Sequence, residues 1–243
     1  MSDPDIDLED RNPLGGIDLL TTGVGMAVIA IIPTFLASIF TPWKLTSMLS
    51  ENVPDGRKGM LLAPGVYFVL MLAATMIFVG LTATDDTVAR DGSLIGPGLA
   101  RSISDAASEG NVWKTLLRIA PIFLFALSLG VIGRLFTRWI GTWWTLRTSV
   151  RTSFYIIATF VSFVVLLGAI FEQIVAASDN RILLSTLYGY SSTPIVLLPF
   201  WMYAAFLKFG GQISWVRSVI ISVLTFATLI TSFSSLMTLI SGP

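Results

Sequence analysis

Apolar residues in this chain run in long blocks instead of alternating with polar ones. Charge-free stretches cover Leu19–Trp43, Met60–Thr84, Thr152–Phe171, Ile182–Leu207 and Ser218–Pro243. A helix needs roughly 20 mostly apolar residues to cross the hydrocarbon core of a bilayer, so each block is a candidate span. A shorter block, Ile119–Gly133, lies between Arg118 and Arg134 and reaches across if those arginines extend their heads toward the lipid headgroups. The pattern predicts an all-α integral membrane protein. Its core is a bundle of five transmembrane helices, with an N-terminal hydrophobic segment that is either interfacial or a sixth spanning helix. The expected organisation is an acidic tail over residues 1–18, the hydrophobic segment with a cytoplasmic linker over 19–58, and the five-helix domain over 59–243.

The first block, "LLTTGVGMAVIAIIPTFLASIFTPW", carries Gly23, Gly25 and Pro33. These residues weaken an isolated helix, yet membrane helices tolerate them when packed against neighbours. "TPWKLTSMLSENVPDGRKG" follows. Leu45, Met48 and Leu49 recur there at helical spacing beside Ser47, Ser50 and Glu51, which predicts a short surface helix before a turn. The 85–114 linker has Gly-Pro-Gly at its centre and room for one short amphipathic helix around Leu99–Ala107. It is too small to bury a core of its own.

Composition agrees with the blocks. Charged residues are 12% of the chain where a soluble domain has about 25%, and mean hydropathy is +0.80. Such a chain cannot cover itself with a hydrated surface. Fifteen basic and fifteen acidic residues cancel, so overall charge gives no reason to expect nucleic acid as a partner. The acidic start, "MSDPDIDLEDRNPLGG", lacks the positively charged region of a cleavable signal peptide.

Charge placement sets the orientation. The Lys44–Lys58, Arg134–Arg151 and Lys208–Arg217 linkers hold nine basic residues and two acids, Glu51 and Asp55. The Asp85–Arg118 and Glu172–Arg181 linkers hold five basic residues and seven acids. By the positive-inside rule, the three basic linkers face the cytoplasm and the C-terminus lies on the opposite side. The expected location is a bacterial inner membrane.

The missing residue types exclude more chemistry than the present ones supply. The chain has no cysteine and no histidine, so disulfides, thiolate metal sites, imidazole ligands and the commonest general base are absent. No block carries Lys, Arg, Asp or Glu near its middle, where pumps and ion-coupled transporters place them. The many Ser and Thr of the last block lack a base to activate them and are expected to bond to backbone carbonyls or neighbouring helices. No catalytic activity, metal or cofactor is expected. The richest polar stretch is "RLFTRWIGTWWTLRTSVRTS". Arg134 and Arg138 share a helical face, as do Arg147 and Arg151, with Trp139, Trp143 and Trp144 between them. Arginine with tryptophan at a boundary marks an interfacial anchor. Paired guanidinium forks also suit the phosphate of an anionic lipid headgroup.

Within the fourth strong block, "LYGYSSTPIVLLPF" holds Pro194 and Pro199. Each proline removes a backbone donor and crowds the preceding turn, so "GYSSTP" is expected to begin or interrupt a helix. Ser192 or Thr193 would cap it and Pro194 would take the first turn. The freed carbonyls call for a span buried in protein, and a broken helix of this kind also fits a transporter or channel for a neutral or lipidic substrate.

Gly189, Tyr190, Ser191 and Pro194 match a glycine-tyrosine-serine-X-X-proline stretch, and "IFTPWKLTSML" contains a matching Pro42. In these motifs the chain resembles the Yip family, membrane proteins named for interacting with Ypt/Rab small GTPases, over roughly residues 31–240. The resemblance is closest to bacterial-type members. It implies five spans, an interfacial first segment, and a "GYSSTP" stretch that opens a late span. The aspartate-leucine-tyrosine-glycine-proline stretch of eukaryotic members has no counterpart here, which removes the ground for small-GTPase binding. The function expected is non-catalytic: organising a membrane region, or serving as an accessory or scaffold subunit beside other membrane protein subunits and lipids.

Overall fold

The computed structural model describes residues 13–49, 57–58, 61–82, 112–139, 144–176 and 181–241. Six α-helices account for nearly all of them: α1 (Pro13–Phe40), α2 (Pro64–Thr82), α3 (Val112–Trp139), α4 (Leu146–Ala176), α5 (Arg181–Gly210) and α6 (Trp215–Ser241). A 3-10 helix, Pro42–Met48, follows α1, and a hairpin of β1 (Arg57–Lys58) with β2 (Leu61–Leu62) precedes α2. The protein is therefore all-α. Among the described residues, three helical segments qualify by length and composition to cross a membrane: Ile119–Trp139, Leu146–Gly168 and Trp215–Ser232. Gly25–Phe40, Pro64–Phe78 and Ile195–Gly210 are shorter apolar segments. The proposed helix around Leu99–Ala107 lies outside the described residues.

Local signals explain the starts. Pro13, Pro64 and Pro42 open α1, α2 and the 3-10 helix, where a missing N–H costs nothing and φ is preset. Thr145 caps α4, its Oγ1 accepting the Thr148 N–H at 3.1 Å. Ser214 does the same for α6 through the Arg217 N–H at 3.4 Å. Each is the third-residue bond of a standard N-cap.

α4 is the shared helix. It packs along α2 on one side and α3 on the other, and it also meets α1 and α5. α3, α4, α5 and α6 form a closed ring, each touching the next and α6 returning to α3. α1 and α2 cover the remaining side of α4. The buried faces follow helical spacing: Ala126, Leu129, Gly130, Gly133 and Thr137 on α3, and Ser218, Ile221, Ser222, Thr225 and Leu229 on α6. Small residues let the backbones approach.

Two expectations are corrected here. "GYSSTP" neither begins nor breaks a helix, because α5 runs unbroken from Arg181 to Gly210 and Gly189 lies about two turns inside it. Helix continues through a proline when the freed carbonyl finds another donor in a packed bundle, as it also does at Pro33 and Pro121. Secondly, charge made poor boundaries: α3 already includes Lys114 and Arg118, and α4 includes Arg147, Arg151 and Glu172. Arg134 and Arg138 likewise belong to the last turns of α3. The first block, expected as either an interfacial or a spanning segment, lies mostly in α1, which packs against α2, α4 and the hairpin. Ala30, Thr34, Ala37 and Ser38 of α1 are buried while Ile29, Ile32, Leu36 and Phe40 face outward.

Candidate functional site

The connectors at the basic end meet. A Cβ on Gly210, at the end of α5, would lie 2.9 Å from Trp144 Cζ3 and 3.3 Å from Thr46 Cγ2. The 3-10 helix, the α3–α4 connector and the α5–α6 connector thus share one end of the fold. Pro42 is buried as the first residue of the 3-10 helix, and Leu45, Met48 and Leu49 bury the face that their spacing predicted. The hairpin is tied in through one residue. The Leu62 N–H donates to Thr34 Oγ1 of α1 at 3.1 Å, and the Tyr155 hydroxyl of α4 donates to the Leu62 carbonyl.

The arginines divide between surface and interior. Arg138 and Arg147 are exposed, Arg134 and Arg151 are half-buried, and the Nη1 of Arg134 is enclosed without a hydrogen-bond acceptor among the described residues. Arg147 and Arg151 occupy the first two turns of α4, beside the positive end of the helix dipole. Cations there are disfavoured by some tenths of a kcal/mol, whereas an anion gains from the dipole and both guanidiniums.

The tryptophans separate in the same way. Trp139 is 82% exposed, as an interfacial residue is expected to be, but Trp144 is 0% exposed. Its interfacial assignment is therefore corrected. The indole fills the space beside Gly210 and Gly211 and acts as a plug joining the connectors. Trp143 lies outside the described residues. The side chains of Gly189, Tyr190, Ser191 and Pro194 also fall outside the described set, and the four positions share α5 with no other element assigned to them.

A second aromatic group went unnoticed in the sequence. Trp43 and Phe209 pack at 5.2 Å, Phe209 and Trp215 edge to face at 5.7 Å, and Trp201 and Trp215 stack at 5.7 Å. Trp201 Nε1 donates to the Ile39 carbonyl at 3.1 Å. All four rings are partly exposed at the basic end, close in sequence to Lys44, Lys208 and Arg217. Only the aromatic flanks of the α5–α6 connector hinted at them. Their partners on α1 and the 3-10 helix are remote in sequence.

Hydroxyl groups supply most of the interior polarity. Ser38 donates to the Phe35 carbonyl at 2.7 Å, so its 2.7 Å contact with Thr159 Oγ1 takes the Thr159 proton. The 2.9 Å contact of Tyr67 with Thr159 is then a donation from the phenol. A directed chain of hydroxyls, Tyr67 to Thr159 to Ser38, thereby joins α2, α4 and α1. Thr75, which donates to the Met71 carbonyl, continues the seam with its Oγ1 2.8 Å from Ser162 Oγ. On α6, Ser218 and Ser222 bond back to carbonyls four residues earlier, as expected of membrane hydroxyls.

Comparison with family models, curated proteins and solved structures finds no match for this chain.

Proposed function

We propose that the chain is a polytopic, non-catalytic membrane protein of Yip-like type that works through lipid and protein contacts at its basic end. The observation that carries this reading is the inverted polarity of the helices. On α6, Ser218, Ser222 and Thr225 are buried while Val216, Val219, Ile220, Val223 and Ile230 are exposed. The same inversion holds on α1, where Thr34 and Ser38 are buried while Ile29, Ile32 and Leu36 are exposed. Water around such a surface would leave an apolar patch far beyond what soluble monomers expose, and lipid removes that cost.

Five crossings, with α1 as either an interfacial or a sixth spanning helix, and the basic connectors on the cytoplasmic side are the arrangement proposed from the alternating charge of the linkers. An inner membrane of a bacterial cell is the proposed setting. Anionic headgroups are the proposed lipid ligands, with Arg147 and Arg151 at the α4 N-terminus as their main contact and Arg134, Arg138 and Trp139 alongside. The partly exposed aromatic group suits the headgroup layer. The transport reading loses its main support, because it rested on an interruption that α5 lacks.

The test is lipid retention. R147Q/R151Q protein, purified gently and analysed by mass spectrometry, is expected to carry less anionic lipid than the wild type at unchanged neutral lipid. Equal anionic lipid in both preparations would overturn the headgroup site.

A further inference from the structure

The two hydroxyl junctions on α4 differ in one respect. Tyr67, Thr159 and Ser38 satisfy one another, whereas Ser149 Oγ, Tyr203 Oη and Thr225 Oγ1 are buried with no hydrogen bond to any described residue. All three side chains are 0% exposed. They come from α4, α5 and α6, and they converge. Tyr203 Oη and Ser149 Oγ lie 1.9 and 3.3 Å from the point that a Cβ on Gly133 of α3 would occupy. The Ser149 and Thr225 hydroxyls are both near enough to Tyr203 Oη to act on it, although neither reaches the geometry of a formed bond. Phe226, next to Thr225, closes over the Tyr203 ring edge to face at 6.1 Å. The group sits seven residues from the end of α5, about 10 Å inside the helical ring.

Each hydroxyl offers one proton and two acceptor positions, and hydrocarbon supplies neither donors nor acceptors. A ligand for this place must be small, able to donate and accept, and uncharged, since none of the three groups carries a charge to balance an ion. Oxygens this close can be joined through one water at ordinary lengths of about 2.8 Å, and buried waters typically make about three such bonds.

We infer that Ser149, Tyr203 and Thr225 form an internal water-binding site at the centre of the α3–α6 ring, with Gly133 leaving room for the phenol. The bound water bridges three helices whose three hydroxyls form no direct hydrogen bond with one another. The inference does not depend on the lipid reading of the basic end.

Water-edited solid-state NMR on bilayer-embedded protein labelled at tyrosine Cζ tests it. The Tyr203 signal is assigned by its loss in Y203F. It is expected to receive magnetisation from water several-fold faster than Tyr67 and Tyr155, whose hydroxyls bond to protein groups. Thr225→Val is expected to slow the Tyr203 transfer and leave the two reference tyrosines unchanged. A Tyr203 transfer as slow as that of Tyr67 and Tyr155 overturns the site, as does a Tyr203 rate unaffected by both Thr225→Val and Ser149→Ala.

Discussion

Gly133→Ala is the most informative single change, because the structure assigns it a cost opposite in sign to its helix propensity. In an unobstructed helix, glycine to alanine gains up to about 1 kcal/mol. Gly25 of α1 is such a place, with nothing within 4 Å of the new methyl group. At Gly133 the methyl carbon would stand 1.9 Å from Tyr203 Oη and 2.9 Å from Tyr203 Cζ. Ordinary van der Waals contact begins near 3.4 Å, so the ring must retreat by more than an ångström. Tyr203 is 0% exposed, between Phe226 and the backbone of α3, and overpacking of this kind costs about 1–3 kcal/mol. The net expectation for G133A is a loss of up to about 2 kcal/mol, against a small gain for G25A. Removing the phenolic oxygen leaves the 2.9 Å contact with Cζ, which asks for a much smaller shift. G133A is therefore expected to cost less in a Y203F background than in the wild type. Reversible unfolding in mixed detergent, followed by circular dichroism, gives the four stabilities of this cycle. Equal effects of G133A and G25A, or a G133A cost that Y203F does not reduce, would refute the packing of Tyr203 on Gly133.

Two further outcomes are expected. Trp144→Ala is expected to cost about 3 kcal/mol in the same unfolding assay, the low end for a buried tryptophan, since lipid weakens the transfer contribution and leaves the cavity. Trp139→Ala, at 82% exposure, is expected to change stability little, and similar losses for both would contradict the burial contrast. For sidedness, a cysteine at Arg138 or Arg147 in this cysteine-free chain is expected to react with an impermeant maleimide only in inverted vesicles, and labelling of intact cells would reverse the orientation.

The sequence carried the helices and their common polarity because a lipid-facing segment must be apolar over its whole length, and length is directly readable. It carried the short helix at Leu45, Met48 and Leu49 for the same reason: spacing is local. Boundaries were less legible. Charge was used to end the spans, but long basic side chains can begin or end a helix while their heads reach the headgroups, so α3 and α4 each extend past the arginines flanking their blocks. Prolines misled similarly, since their cost depends on what neighbouring helices offer the freed carbonyls. Trp144 shows the limit most clearly. By composition it matches Trp139, yet one is buried and one exposed, and only the approach of Gly210 from another helix decides which.

The hydroxyls explain how the described helices keep a specific arrangement in a largely apolar interior. In lipid, apolar side chains gain little by meeting one another, so close packing and hydrogen bonds must select one register among many. Two junctions do this along α4. Toward α1 and α2, a directed chain ends on the Phe35 carbonyl and holds three helices with protein groups alone. Toward α5 and α6, the directly bonded chain is missing and packing of Tyr203 against Gly133 fixes the distance instead. Adjustment is easier where a water completes the bonds than where side chains do, because the water can move with either partner. The junction of α4 with the α5–α6 pair is therefore expected to be the more adjustable of the two.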